Sequence, residues 1–445
     1  MKRIIFFLCC LYATFCVAQN TLGTLNALHQ VMKGETLWGI AHQYNVTPEA
    51  LEQANPEIKK GKVKRGMLLV IPRQVVSQSI DVSPVMEVPV VSKAYTSLKV
   101  GVLLPFEEGT ERAAKFVEFY QGLLMAVDSV KHEGINVELY APHCGRTAAT
   151  MQTALSNEAL RSLTIIFGPA DAEQIPVLSD FCQTNAIRLV LPFSNAFDLT
   201  GRPHVFAATA ASNVLQQDAA RMIVEQYAER NYVFLQTNNP DERGRQFSAA
   251  MRAELSKRGI AARNLNIEGD DFALEGALNQ FKQNCIIPDN ASIRTLNVLI
   301  SRLNSFCPAH PDYRISLQGY PEWQTYTASL LLDFYRYDTY FYSSYYRNPL
   351  VAATENFEQR FSLNFHHPMQ VSFPRYGTMG FDMGYYFLHG LSQLGERFEQ
   401  EQSTLSLSPI QHPFRFVQDV AGNGFTNHAV QLIHYTPSQT IEQIQ

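Results

Sequence analysis

Cys144, Cys182, Cys285 and Cys307, with the adjacent pair His366-His367, are the side chains outside the N-terminal segment best able to attack a carbon or hold a metal. Their spacing supports neither role. No two cysteines form a CxxC pair, so a structural zinc site is not expected. The histidine pair precedes a proline and lacks the HExxH frame that sets two imidazoles on one helix face with a carboxylate. Cys182, Cys285 and Cys307 show no helix start with a histidine partner, the setting that would turn a thiol into a nucleophile. Glycoside hydrolysis needs two carboxylates across a cleft, and linear spacing does not reveal such a pair. The chain therefore reads as non-catalytic, with no metal and no cofactor.

The polar residues that do follow a pattern are those ending short apolar runs. Residues 98–106 read LKVGVLLPF and lead into Glu107-Glu108-Gly109-Thr110; runs at 136–141, 163–167 and 187–192 end in PHCG, GPAD and PFSN. A continuous apolar run fits a strand buried on both faces. The stretches between them are amphipathic, as at 112–130, where Phe116, Tyr120, Leu123, Leu124 and Val127 form one stripe. Strands alternating with helices predict an open parallel sheet with right-handed crossovers. Such sheets place ligand sites beyond the carboxyl ends of their strands. A second round follows: helix 213–228, strand 232–235, helix 246–258, strand 264–267 and strand 315–318. Two α/β halves predict two lobes with a cleft between them.

A chain of 445 residues, 46% apolar and 17% charged, is globular and long enough for two or three domains. A formal net charge of −5, with basic residues grouped only at Lys59-Lys60 and 62–65, argues against nucleic acid. Residues 1–18 have the form of a signal peptide: Lys2-Arg3, an apolar stretch, then small residues up to Ala18. Lipidation at Cys16 is the alternative, but Phe15 is too bulky for that signal. Three of the seven cysteines leave with this segment. Export permits one or two disulfides among the other four. No later stretch is long and apolar enough to span a bilayer.

Residues 29–72 read as strand, helix, helix, strand. Thr36 is placed to cap the first helix, and Thr47-Pro48 to start the second. Val31-x-x-Gly34-Glu35-Thr36-Leu37, Ile40-Ala41, Tyr44, Val46, Leu51, Asn55 and Gly66-Met67-Leu68 with Ile71-Pro72 together resemble a LysM domain over its full length. That resemblance implies binding of peptidoglycan or another N-acetylglucosamine polymer in a shallow groove. Carried over by position, one side of the groove is Gly34, Glu35, Thr36 and Leu37. Asn55, Pro56, Glu57 and Ile58 form the other. Backbone amides at loop and helix ends suit an acetamido group, and apolar edges suit a sugar face. The domain is taken as 29–73.

Residues 74–97, rich in Val, Ser and Pro, read as an extended linker that reaches roughly 80 Å at full stretch. From 98 to 445 the phrases KVGVLLPF, IIFGPADAEQIPVL, LVLPFSNA and HVFAATAA, with a closing hairpin around 414–434, resemble the type 1 periplasmic binding fold of the leucine/isoleucine/valine-binding branch. The resemblance implies two Rossmann-like lobes and a ligand cleft lined by Asp171, Ala172, Ser194, Asn195, Thr237, Asn238 and Glu322. Asp171-Ala172 and Asn195 stand where that branch carries small hydroxyl residues, and no arginine is evidently placed to clasp a carboxylate.

The segment 333–346 is rich in tyrosine, which suits either a buried strand or, if it faces water, a partner surface. The expected whole is an α/β protein: a small βααβ LysM module linked to a bilobed domain, exported to the periplasm or cell envelope and wall-associated. Its expected role is an interaction platform or regulator that meets envelope proteins. The alternative is a solute-binding or sensor protein that captures an amino acid, peptide or cell-wall fragment.

Overall fold

The structure, a computed structural model, describes residues 25–31, 35–44, 46–55, 58, 61–64, 67–72, 95–107 and 111–444. The expected signal peptide and most of the expected linker lie outside the described residues.

The small unit is built from strand β1 (Leu25–Gln30), helices α1 (Leu37–Gln43) and α2 (Pro48–Ala54), and strand β2 (Leu68–Pro72), the strands pairing antiparallel. Both expected caps form. Thr36 Oγ1 accepts from the Gly39 N–H and Thr47 Oγ1 from the Ala50 N–H, each at 3.1 Å. Val31, Ile40, Ala41, Leu51, Leu69 and Ile71 form its buried core. The first strand starts at Leu25 rather than His29, because β2 extends far enough to pair with it.

The first large sheet has seven strands in the order β13-β14-β7-β6-β5-β3-β4. They are β3 (Ser97–Val102), β4 (Asn136–Tyr140), β5 (Ile165–Phe167), β6 (Arg188–Leu191), β7 (Val205–Ala207), β13 (Phe416–Val417) and β14 (Phe425–Asn427). All pairings are parallel except β13 with β14. Alternate strand residues face opposite layers. Val100, Ile165, Phe167, Val190 and Phe206 pack toward α3 (Glu111–His132) and the late helix Tyr376–Leu394. Ile166, Leu189, Leu191 and Val205 pack toward α4 (Ala148–Leu155) and α5 (Ile175–Thr184). This is why the runs are continuous rather than alternating.

The second sheet, β16-β15-β12-β11-β10-β8-β9, also has seven strands. It contains β8 (Asn231–Gln236), β9 (Ala262–Asn266), β10 (Asn284–Pro288), β11 (Ile315–Gly319), β12 (Thr339–Ser343), β15 (Gln431–Tyr435) and β16 (Ile441–Ile444). Its helices are α6 (Ser212–Gln226), α7 (Glu242–Lys257), α8 (Asp271–Ala277), α9 (Ile293–Phe306) and α10 (Thr327–Arg336). Two further helices are α11 (Ala352–Phe365) and α12 (Tyr376–Leu394), and a four-residue helix, Phe398–Glu401, follows α12. β10 and α9 carry no expectation above, although Pro288-Asp289-Asn290 and the cap residue Ser292 punctuate the step between them.

The Tyr-rich segment lies in the core of the second sheet. Phe334, Tyr337, Tyr340, Phe341, Tyr342 and Tyr346 are all buried. Their rings close the layer between β12 and its neighbours, so the partner-surface reading of this segment is corrected to a buried strand and its flanks.

Helices α3 and α12 approach closely because three glycines remove the side chains between them. A Cβ on Gly122 would stand 1.8 Å from the Gly377 carbonyl oxygen, and one on Gly380 would stand 1.9 Å from that of Phe119. The buried Glu118 carboxylate then accepts the Gln370 N–H at 2.7 Å and the Gly377 N–H at 3.3 Å. Burial raises its pKa, while those donors oppose the shift.

Candidate functional site

The chain leaves the first sheet after Ala207, at a carboxyl strand end, and leaves the second after Ser343, also at a carboxyl end. The carboxyl edges of both sheets therefore border the connections between the lobes. Asn427 ties these connections: its Nδ2 donates to the Ala208 carbonyl at 3.0 Å, and its Oδ1 accepts from Arg415 N–H at 3.0 Å and Ala429 N–H at 2.9 Å. The next residue, His428, places Nδ1 2.8 Å from the buried Asp218 carboxylate of α6. That contact and the neighbouring Arg221 and Arg415 outweigh burial and hold the Asp218 carboxyl below its ordinary range.

In the first lobe, Asp171 follows β5 and starts a short 3-10 turn. One carboxylate oxygen accepts from Arg112 at 2.6 Å, and the other lies 3.6 Å from Arg146 Nε. The loops after three strands thus converge on one acid. Ala172 beside it is exposed. After β6, Phe193 packs against Phe116 and Phe119 and reaches Tyr376 at the start of α12. Ser194 is half-buried, and Asn195 donates from Nδ2 to the Ala210 carbonyl at 3.1 Å.

In the second lobe, Thr237 follows β8 and donates from Oγ1 to Asp289 at 2.6 Å. Its N–H bonds the same carboxylate. Asn238 donates to Glu268 at 2.5 Å. Glu322, after β11, pairs with Arg243 in the first turn of α7. Arg243 and Tyr376 both lie within electrostatic reach of Tyr345, whose hydroxyl pKa is raised mainly by burial. These are the strand-end positions expected to line the cleft, and most already hold a partner within the protein. Arg112, Arg146, Arg243, Phe193 and Tyr376 were not singled out from sequence. Arg112, Arg146 and Arg243 stand ten, six and seven residues past the ends of β3, β4 and β8, and only their partners mark them.

In the small unit, Glu35 is held by His29, whose Nε2 lies 2.8 Å from the Glu35 carboxylate while Nδ1 lies 3.0 Å from the Tyr44 hydroxyl. Thr36 is exposed, Leu37 is buried, and Asn55 is buried with Nδ2 donating to the Leu51 carbonyl at 2.7 Å. Ile58 is buried beneath the second loop. Gly34, Pro56 and Glu57 lie outside the described residues.

The four cysteines are free thiols, so none of the bridges that export would permit is formed. Cys144 and Cys182 both belong to the buried cluster on one face of the first sheet. Burial pushes the Cys144 thiol up to about 12 and Cys285 up to about 11, which disfavours the thiolate. Among the described residues, no three His, Cys, Asp or Glu side chains are grouped to hold a metal, and no helix is long and apolar enough to cross a membrane.

These two sheets, their helices and the returning hairpin have the fold of type 1 periplasmic binding proteins. A protein from Rhodospirillum rubrum described as part of a branched-chain amino acid ABC transporter shares it, with a TM-score of 0.52 at 12% identity over 78% of this chain and 100% of that one. A branched-chain amino acid ABC transporter ligand-binding protein from Burkholderia xenovorans gives 0.46 at 12% identity over 78% and 94%. An ABC transporter substrate-binding protein from Desulfitobacterium hafniense, in complex with Leu, gives 0.41 at 16% identity over 78% and 100%. Residues 29–72 match the family model of the LysM domain. No curated protein matches the sequence.

Proposed function

We propose that this chain is an exported, non-catalytic protein of the cell envelope. After a signal peptide at 1–18, residues 29–73 bind peptidoglycan, and a linker at 74–97 tethers the bilobed domain 98–445 to the wall as an interaction platform or regulator. The observation that carries the platform reading is the self-pairing of the cleft. Asp171 is held by Arg112 and Arg146, Glu322 by Arg243, and Thr237 by Asp289. Most of the groups a zwitterion would need are thus already directed at partners within the protein.

A second reading, capture of an amino acid, peptide or cell-wall fragment between the lobes, is favoured by the hinge-linked bilobed fold, which suits closure on a ligand. Two measurements separate the claims. Mature protein should co-sediment with purified peptidoglycan, and deletion of 29–73 should abolish this; unchanged sedimentation would sink the anchoring claim. Mass spectrometry of denatured, freshly purified mature protein should find no stoichiometric small molecule. A defined ligand at one per chain would overturn the platform in favour of solute capture.

A further inference from the structure

The strap 405–414, which leads from α12 into β13, covers a cavity of 380 Å³. Its walls are aromatic: Phe381, Tyr385 and Tyr386 from α12, and Phe414 from the strap. Tyr386 and Phe414 have ring centroids 5.2 Å apart. At the rim, Ser406 and Ser408 are exposed and have no hydrogen-bond partner among the described residues. His412, only 8% exposed, also lines the space. Its Nδ1 faces the Gln411 side-chain amide at 3.4 Å, and its Nε2 has no partner among the described residues.

The strap is held in place by one carboxylate. Asp382 accepts the N–H groups of Ile410, Gln411 and His412 at 2.9, 2.8 and 2.8 Å. Three donors converging on one buried side chain fix the loop over the space and fully occupy that acid. Asp382 is the only carboxyl group lining the cavity, no Lys or Arg joins it, and its oxygens already accept the three strap N–H groups, so the cavity does not call for a charged ligand. The volume is at the small end for ligand sites, with room for one ring rather than a chain.

We propose that this cavity, separate from the interlobe cleft, binds one neutral pyranose ring. The apolar face of the sugar covers the Tyr386–Phe414 wall. Its hydroxyls meet the Ser406 and Ser408 hydroxyls and His412 Nε2, none of which has a partner among the described residues. The proposal does not depend on wall anchoring, and its probe, methyl β-glucopyranoside, has no acetamido group.

The test is hydrogen exchange of the full mature chain read by mass spectrometry. At millimolar concentration the glycoside should slow exchange several-fold in peptides covering 381–386 and 405–414. Ser408→Trp, a change at an exposed rim position, should remove that protection while leaving the unfolding temperature unchanged. Protection confined to 29–72, or none, overturns the proposal. So does protection that persists in S408W, or protection by phenol but not by the glycoside.

Discussion

Asp171 and Arg112, 59 residues apart in the chain, meet at 2.6 Å where the first lobe's strands end. One carboxylate oxygen of this acid is answered by Arg112, while the other, 3.6 Å from Arg146 Nε, is buried with no hydrogen-bond partner among the described residues. Its side chain is 15% exposed, whereas the Arg112 side chain is 48% exposed, so solvent screens the pair. Asp171→Ala should therefore change stability by less than about 1 kcal/mol in denaturant unfolding. It should also free Arg112 and Arg146, so that sulfate raises the unfolding temperature of the variant more than that of the parent. Equal shifts would show that these arginines do not face the cleft as a pair.

Gly380→Ala places a methyl group 1.9 Å from the Phe119 carbonyl oxygen and must part α3 from α12. Overpacking of this kind costs about 2–3 kcal/mol. Thermal unfolding should shift down by at least ~4 °C. Gly276→Ala is the control: its added Cβ meets nothing within 4 Å, and the site is an exposed helical position of α8. It should be neutral or stabilise by up to about 1 kcal/mol.

Asp382 and His412 make opposed contributions to stability against pH. Burial pushes the Asp382 carboxyl from 3.8 up to about 7 against the pull of its three backbone donors, so its contribution is full below 3.8 and is lost as pH rises through 7. Burial pushes His412 from 6.5 down to about 3, so its contribution is full above 6.5 and is lost as pH falls through 3. Between pH 4 and 6.5 the two slopes cancel. Asp382→Asn should expose the histidine slope, with stability rising with pH in that window, and His412→Phe should expose the opposite slope. Parallel profiles for both variants and the parent would refute the pairing.

In the small unit, His29 positions Glu35 through Nε2 while Tyr44 fixes the other ring nitrogen. His29→Phe keeps the apolar bulk and releases both partners. Peptidoglycan co-sedimentation should fall several-fold, with the far-ultraviolet spectrum of the full chain unchanged. Undiminished binding would mean that Glu35 needs no positioning.

Strand and helix alternation and both helix caps of the small unit were legible in sequence because each rests on short-range physics, while the returning hairpin was legible through the resemblance to the type 1 periplasmic binding fold. Thr36 and Thr47 cap because their hydroxyls reach an N–H three residues on. The runs at 98–106 and 163–167 declare two-sided burial by their continuous apolar character, although β3 ends at Val102 and Leu103 and Leu104 continue as buried loop. β10 was not legible, since Asn284–Pro288 is only a five-residue strand, although the helix after it has a local start signal in Pro288-Asp289-Asn290 and the cap Ser292. Burial of the tyrosines at 337–346 was one of two open readings, because a tyrosine ring suits core and interface equally.

By itself, then, the sequence determined the alternation of strands and helices and the likenesses of 29–72 to LysM and of 98–445 to a type 1 periplasmic binding fold. The alternation and the caps follow from periodicity and turns acting within a few residues, and the likenesses from the motifs that carry them. Only tertiary structure decided which groups meet: Arg112 with Asp171, Arg243 with Glu322, the Gly122 backbone with that of Gly377, and Asp382 with the backbone of the strap at 410–412. An ion pair or a hydrogen bond acts over a few ångströms. Which residues come that close depends on how two sheets and a returning helix stack, and no local pattern in the chain records it.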